Sequence, residues 1–155
     1  METMMAPWRY QYITGPKGDG CPFCAAGSDR ERLVLFRGTN CYVMLNAYPY
    51  ATGHLMVLPF RHVSDICDLR EGERTELMEL VCRARGCLCR AFHPQGMNVG
   101  INLGASAGAG VAGHLHCHLV PRWAGDSNFM QVLSGTSVVP LKLAESWELL
   151  KKYWE

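Results

Sequence analysis

Three histidines occupy every second position of one apolar stretch, "GHLHCHLVPRW", which spans residues 113–123. The chain of 155 residues contains six histidines, so half of them lie in this segment. The imidazole pKa lies close to neutrality, and histidine therefore serves as nucleophile, proton donor or metal ligand at the pH of the cell. We call His114, His116 and His118 the histidine row and predict that they form a functional site.

A β-strand would place the row on one face of a sheet, because side chains two residues apart point the same way. Leu115, Cys117 and Leu119 then point to the other face, towards the core. Two-residue steps rise by about 6.6–6.8 Å, so the row is about 13 Å long and one ion binds two neighbours but not all three. The alternative, satisfied polar residues on a half-solvated face, explains one histidine better than three in register.

A loop rich in glycine and alanine, "GASAGAGVAG", precedes the row. Glycine lets the backbone approach a ligand closely and turns N–H groups towards an anion. Such loops are also ordinary turns, and no Gly-Lys-Ser/Thr follows as in a Walker loop. Beside the histidine row, the loop indicates a phosphate group that one imidazole attacks while backbone amides and the other imidazoles hold its oxygens.

Hydrophobic periodicity predicts the elements that must position this segment. We expect strands in a hairpin, "LVLFRGTNCYVML", in "HLMVLPFRH", and in "MNVGINLG" and "HLHCHLVP" on either side of the loop. Apolar residues recur at helical spacing from Glu71 to Phe92, and "LAESWELLKKYWE" predicts a second amphipathic helix. The fold class is therefore α+β: an antiparallel sheet of about five strands, one long helix packed on it, and a C-terminal helix.

The length predicts one domain, 1–155. We divide it into an N-terminal arm that carries the "CPFC" motif (1–30), a catalytic core (31–130) and a C-terminal tail and helix (131–155).

Composition argues against several classes of protein. The chain is 48% hydrophobic and 19% charged with a net charge of +1, which favours a globular protein over a disordered chain or a polybasic nucleic-acid binder. We find no secretory signal, and the longest weakly charged stretch is rich in glycine and histidine, so we expect no membrane span. Eight cysteines in so apolar a chain are expected as reduced thiols, which favours the cytoplasm.

Cys21 and Cys24 in "CPFC" have the spacing of zinc ligands and also of a redox pair. A thioredoxin-like pair belongs at the start of a helix within a βαβ unit, whereas this motif precedes a hairpin. The motif by itself leaves a metal site and a pair of unmetallated thiols both open.

The segment "HLHCHLV" matches the pattern His-φ-His-φ-His-φ-φ, with φ apolar, and so resembles the histidine-triad family of nucleotide hydrolases and transferases. The resemblance extends over nearly the whole chain, through "APWRYQYI", "CPFC", "MLNAYPYATGHLMVLPFRHVSDICDL" and "VPRWAGDSNF". With "PRW" after the triad, the chain is most similar to the bacterial members that are like diadenosine tetraphosphate phosphorylase. The resemblance implies the fold of that family.

The resemblance also implies catalytic roles. His116 would attack the α-phosphorus and form a nucleotidyl-histidine intermediate, which water or phosphate resolves, and His118 would contact the phosphate and the leaving group. A backbone carbonyl is expected to fix the tautomer of His116 so that its free nitrogen faces phosphorus. His54 and His93 receive no role.

Substrate contacts are implied at five further positions. Asn46 matches a residue that holds the ribose hydroxyls, and Asn102 matches one that contacts the phosphate region. Trp123 would lie near the distal part of the substrate or, as an alternative, pack on a dimer partner. Many members carry a hydroxyl or amide donor at the end of the glycine-rich loop where this chain has Ala109 and Gly110, so the leaving group is left open.

Zinc-type members of the family imply the remaining metal ligands. They complete the Cys21 and Cys24 pair with His62 and His114, the first residue of the row. Four protein ligands close a tetrahedral site, so the expected Zn²⁺ is structural, and no organic cofactor is expected. One end of the row would then bind metal while the middle binds phosphorus.

These inferences lead to an enzyme that cleaves a phosphoanhydride or phosphoramidate at a nucleoside α-phosphate, with diadenosine polyphosphates as an example. The alternative is a zinc-stabilised nucleotide-binding or sensing module with little turnover. The resemblance implies a homodimer, whereas near-neutral charge and the absence of a basic stripe weigh against a nucleic-acid partner.

Overall fold

The computed structural model of the chain describes residues 20–126 and 141–154. Its sheet has five strands: β1 (Val34–Arg37), β2 (Cys41–Leu45), β3 (Leu55–Pro59), β4 (Gly96–Ile101) and β5 (Cys117–Arg122). Two α-helices accompany the sheet, α1 (Glu71–Phe92) and α2 (Leu143–Tyr153). The N-terminal arm as far as residue 19, residues 127–130 of the predicted core and the tail as far as residue 140 lie outside the described residues.

The five strands pair antiparallel in the order β1-β2-β3-β5-β4. The strand β5 therefore lies inside the sheet, with Met56 of β3 and Gly100 of β4 on either side of His118. Strand β4 is one of the two edge strands, and its Val99 is 50% exposed. An interior strand is the most rigid place in a sheet to carry a reactive side chain, because neighbours hold it on both sides.

The two faces of the sheet bury different residues. One face packs against α1, and its core contains Leu115, Cys117 and Leu119, as strand alternation predicted. The other face carries a second cluster, which we call the outer cluster: Val34, Tyr42, Met44, Met56 and Leu58, with Phe23 packed against it. The histidine row thus lies on the side of the sheet away from α1.

Helix α1 has the predicted bounds, Glu71 to Phe92, and the α+β architecture with five antiparallel strands and a C-terminal helix is confirmed. The strand of the row is shorter than expected. Strand β5 begins only at Cys117, because the amide of Leu115 donates to the carbonyl of Val63, 2.6 Å away, in the loop after β3. His114 and His116 therefore lie in an extended segment that enters the strand.

Side chains of α1 fix the loops around the sheet. Glu73 is buried and pairs with Arg61 at 2.6 Å, which lowers the pKa of that carboxyl to about 2. Glu76 accepts from the amides of Thr39 and Asn40 in the turn between β1 and β2. Across residues 20–126 and 141–154, neither helix offers the apolar length that crossing a bilayer demands.

Candidate active site and metal cluster

The three imidazoles of the row have different surroundings. His114 is 1% exposed and His116 is 5% exposed, whereas His118 is half-buried. The ring centroids of His116 and His118 are 4.8 Å apart, with the rings nearly perpendicular. The row is therefore a buried group of imidazoles that opens to solvent at its His118 end.

Backbone geometry sets the orientation of His116. Its Nδ1 lies 2.8 Å from the carbonyl oxygen of His114. A carbonyl only accepts, so Nδ1 carries the proton and Nε2 carries the lone pair. Burial lowers the pKa of His116, which favours the neutral ring. A neutral imidazole with a fixed Nε2 lone pair is what an attack on phosphorus requires.

His118 receives its orientation from a fourth histidine, His54. The backbone amide of Tyr50 donates to Nδ1 of His54 over 3.1 Å, so the proton of His54 lies on Nε2. That Nε2 lies 2.9 Å from Nδ1 of His118 and donates to it, which leaves the His118 proton on its own Nε2. His118 therefore presents its Nε2–H as a hydrogen-bond donor.

Burial also keeps these two rings neutral. It lowers the pKa of His54 to about 3, helped by the nearby His118, and lowers the pKa of His118 to about 4, helped by His116. The ring of Tyr50 packs on both, with centroids 4.6 Å from His54 and 6.0 Å from His118. The chain of donors from Tyr50 to His118 thus has one direction near neutral pH.

Sequence reasoning missed His54, which received no role. A signal was available in the strand register: Met56 pairs with His118, so His54, two residues before Met56, shares the face of His118 and is its diagonal neighbour. An antiparallel alignment of "HLMVLP" with "HLHCHL" would have brought His54 and His118 together. The sequence alone did not fix which strand neighbours β5.

The other end of the row meets the "CPFC" segment. Nδ1 of His114 lies 3.4 Å from the sulfurs of Cys21 and Cys24, and Nδ1 of His62 lies 3.4 Å from the sulfur of Cys24. One donor atom from each of these four residues lies within 4.8 Å of all the others. We call this group the metal cluster, because these four side chains could hold a metal ion.

The donor set fits a tetrahedral ion. Nε2 of His114 lies 2.9 Å from the carbonyl of Pro59 and donates to it, so Nδ1 carries the lone pair and faces the thiols. Sulfur and imidazole ligands at the usual bond lengths to zinc stand about 3.6 Å apart in a tetrahedron, close to the separations found here. Two thiols and two imidazoles also suit a borderline-soft ion.

A cavity of about 840 Å³ opens beside His118 on the side of β4 and β5. Its walls include Tyr50, Phe92, Val120 and Trp123. Polar groups also line it. Among the described lining residues, the positive charge of Arg122 is balanced by Asp126, to which Arg122 donates two hydrogen bonds of 2.6 and 2.9 Å.

Thr52 adds a hydroxyl to the cavity wall. The residue is 7% exposed, and its Oγ1 has no hydrogen-bond partner among the described residues. A buried hydroxyl without a partner costs free energy, and such a group is available to a ligand.

The residues that the sequence predicted as substrate contacts lie in the cavity, beside His54 and in the glycine-rich loop. Asn102 and Trp123 line the cavity with His118, and the indole N–H of Trp123 donates to the carbonyl of Phe92 over 3.3 Å. Asn46 lies beside His54, where Oδ1 accepts from the amide of Tyr48 and Nδ2 is 3.4 Å from Nδ1 of His54.

The loop residues Ala109 and Gly110 are absent from the described lining of the cavity. The amide of Ala109 donates to the carbonyl of Gly104 over 3.3 Å, so the loop uses this N–H internally.

Residues 28–125 match the sequence profile of the HIT domain. The AP-4-A phosphorylase of Mycobacterium tuberculosis is 47% identical over 127 residues, which cover 82% of this chain and 65% of that protein. The asymmetrical bis(5'-nucleosyl)-tetraphosphatase of Schizosaccharomyces pombe is 32% identical over 93 residues, covering 60% of this chain and 50% of that protein. The matched region thus spans just under two thirds of the first relative.

A solved structure with a similar fold is the Zn-bound histidine triad family protein from Mycobacterium smegmatis. It superposes with a TM-score of 0.66 at 25% identity, over 79% of this chain and 83% of that one. The similarity agrees with the antiparallel sheet and the helices described above.

Proposed function

The chain belongs to the HIT domain family, and from that premise we propose that it cleaves phosphoanhydride or phosphoramidate bonds at a nucleoside α-phosphate, in substrates such as diadenosine polyphosphates. The observation that carries the proposal is the pair of fixed tautomers: a lone pair on Nε2 of His116 next to a proton on Nε2 of His118. The two rings supply a nucleophile and a hydrogen-bond donor to the leaving oxygen within one buried site.

In the first step, Nε2 of His116 attacks the α-phosphorus and forms a P–N bond, while the bond from phosphorus to the leaving oxygen breaks. The leaving oxygen takes the electron pair of that bond, and the Nε2–H of His118 donates a hydrogen bond to the negative charge that forms on it. The Nδ1–H of His116 keeps its hydrogen bond to the carbonyl of His114, 2.8 Å away. That carbonyl stabilises the positive charge that develops on the ring.

In the second step, water or inorganic phosphate attacks the nucleotidyl-histidine on phosphorus. The P–N bond breaks, its electron pair returns to Nε2 of His116, and the proton that the attacking group loses is released to solvent. The ring of His54 continues to donate to Nδ1 of His118 throughout, which keeps the Nε2–H of His118 on the substrate side. The site returns to its starting protonation.

We assign the distal part of the substrate to the cavity beside His118. Asn102 and Trp123 line it, and the pairing of Arg122 with Asp126 suits an uncharged group there, such as the distal nucleoside of the substrate. Asn46 is proposed as the ribose contact. The loop that contains Ala109 and Gly110 is proposed to lie near the leaving group.

We propose zinc as the ion of the metal cluster, held by Cys21, Cys24, His62 and His114. Bound there, zinc would supply a cross-link rather than a water nucleophile, because four protein ligands leave no open position. The ion would tie the "CPFC" segment and the loop after β3 to the histidine row.

Two further features of the proposal concern assembly and location. The exposed edge strand β4, with Val99 half exposed, is the surface that we propose joins two copies in a homodimer, because an unpaired strand edge invites pairing. All eight cysteines are free thiols, which supports a cytoplasmic location where thiols stay reduced. Light scattering on the purified protein tests the dimer directly.

A nucleotide-binding module with little turnover is the second candidate. It is favoured by Ala109, which has no side-chain donor and whose amide already donates within the loop.

The test is product analysis with diadenosine tetraphosphate, with and without inorganic phosphate, beside an adenosine phosphoramidate. A phosphorylase gives ATP and ADP when phosphate is present, and a hydrolase gives ATP and AMP regardless of phosphate. His116→Ala is expected to lower turnover by roughly 10⁴-fold or more, since the nucleophile is removed. The matched control is His93→Asn, which changes an exposed histidine at the end of α1 to a residue that tolerates its left-handed backbone.

Binding of nucleotide without turnover in the wild type would favour the binding module. Equal turnover of the wild type and His116→Ala would contradict the assignment of the nucleophile.

A further inference from the structure

Phe23 lies between the two cysteines of the metal cluster. The segment "CPFC" forms a tight turn in which the amide of Cys24 donates to the carbonyl of Cys21 over 3.1 Å. The turn belongs to neither a helix nor a strand. Any ion that binds both sulfurs therefore also fixes the position of the phenylalanine between them.

The ring of Phe23 contacts two members of the histidine row. Its centroid is 5.6 Å from that of His114 in an edge-to-face arrangement and 5.2 Å from that of His116 with the rings tilted by 56°. These separations are in the range of favourable aromatic contacts. Phe23 thus packs directly on the ring that we propose as nucleophile, and the turn that carries it includes two metal ligands.

The backbone of Phe23 is anchored independently of the metal. Its carbonyl accepts from the hydroxyl of Tyr42 over 2.9 Å and from the guanidinium of Arg32 over 2.8 Å. The ring also packs against the outer cluster on the sheet. The turn is therefore held at two points, the thiols at the metal cluster and the carbonyl of Phe23, while the ring of Phe23 contacts that of His116.

We propose that Phe23 is a positioning residue, which transmits occupancy of the metal cluster to the orientation of the His116 ring. The inference rests on the proposed function of His116. A second route runs through His114, which offers Nδ1 to the metal cluster and its carbonyl to Nδ1 of His116. The metal then acts on the rate of the chemical step as well as on the fold.

The first experiment compares Phe23→Ala, Phe23→Leu and the wild type for metal content, kcat and KM on diadenosine tetraphosphate. Phe23→Ala is expected to retain the metal, to lower kcat by roughly tenfold to hundredfold, since small misplacement of a reacting group has effects of this size, and to leave KM within about twofold. Phe23→Leu keeps much of the volume and restores most of kcat. Phe36→Ala is the matched control, because Phe36 is equally half-buried but packs on Trp154.

The second experiment tests the link to the metal by a double-mutant cycle with Cys24→Ser. If both changes act through the Phe23 ring, the double variant has nearly the kcat of Cys24→Ser alone, whereas independent effects multiply. An increase in KM with unchanged kcat in Phe23→Ala, or multiplying effects in the cycle, would overturn the proposal.

Imidazole NMR separates this inference from the proposed function. The ring signals of His116 are assigned by loss in His116→Ala, and they are expected to shift or broaden both in Phe23→Ala and after chelation of the metal from the wild type. If no substrate is turned over by the wild type, the proposed function fails, while these shifts still report the coupling. Unchanged His116 signals in both samples would refute the coupling even in an active enzyme.

Discussion

The two ends of the histidine row have the same residue type and opposite surroundings. At one end, Nδ1 of His114 faces two sulfurs at 3.4 Å, and its Nε2 donates to a backbone carbonyl. At the other end, Nδ1 of His118 accepts from His54 and its Nε2 proton faces the cavity. The His114 end offers a lone pair to a metal ion, together with the two sulfurs. The His118 end offers an N–H to a substrate.

The difference between the ends arises from what each Nδ1 meets, not from the histidines themselves. A ring nitrogen beside thiols keeps its lone pair for a metal, whereas a ring nitrogen that accepts a hydrogen bond pushes the proton to the far side of the ring. His116, between them, takes its tautomer from the backbone. The His114 end and the His118 end can therefore be disrupted by separate substitutions.

The largest expected effect comes from disrupting the metal cluster at the His114 end of the row. Cys24→Ser removes one sulfur ligand, and the purified protein is expected to contain no bound metal and to unfold roughly 10 °C lower, because structural metal binding contributes directly to folding. Metal analysis and scanning calorimetry measure both quantities. Cys67→Ser is the control, since Cys67 is an exposed thiol outside the metal cluster. A metal-containing Cys24→Ser protein with an unchanged melting temperature would refute the metal cluster as assigned.

The His118 end of the row is tested through His54. His54→Leu removes the donor to His118, so kcat is expected to fall by roughly 10²-fold as the proton of His118 loses its fixed position. His54→Gln can supply an N–H from its amide and is expected to recover part of the loss. Pre-steady-state release of the leaving group measures the step concerned. Equal kcat for both variants and the wild type would remove His54 from the site.

The free energy of unfolding is expected to depend on pH through the buried His54 and His118. The pKa values of His54 and His118 are about 3 and about 4 in the folded protein, below the ordinary histidine value near 6.5. As the pH falls from about 6.5 to about 4, the unfolded chain binds protons that the folded chain does not, so the free energy of unfolding decreases. Urea denaturation across this range measures the slope.

The measurement is best made in the Cys24→Ser background, where release of metal at low pH does not contribute. His54→Leu in that background is expected to have a shallower slope, because one of the buried imidazoles with a lowered pKa is gone. Identical slopes with and without His54 would contradict the burial of a neutral ring at this position.

The smallest expected effect is at Thr52, which lines the same cavity as His118. Thr52→Val removes a buried hydroxyl without a partner and keeps the side-chain shape, so the free energy of unfolding is expected to rise by about 1 kcal/mol. Chemical denaturation without substrate measures the change. A loss of stability would mean that the hydroxyl is already satisfied in the free protein.

Much of this molecule could be predicted from its sequence. The bounds of α1 and the inward direction of Leu115, Cys117 and Leu119 follow from local periodicity, which depends only on neighbouring residues. The start of β5 was placed too early, because the amide of Leu115 bonds to Val63, a residue distant in the chain. Local patterns contain no information about such a partner.

The sequence by itself determined the residue types: three alternating histidines, two cysteines separated by two residues, and a glycine-rich loop. Spacing along the chain also determined which of these residues share a face. Only the tertiary structure decided which nitrogen of each imidazole carries a proton, because this depends on groups far away in sequence, such as Tyr50 acting through His54. It also placed Phe23 on His116, a contact across 93 residues of chain that no short-range pattern encodes.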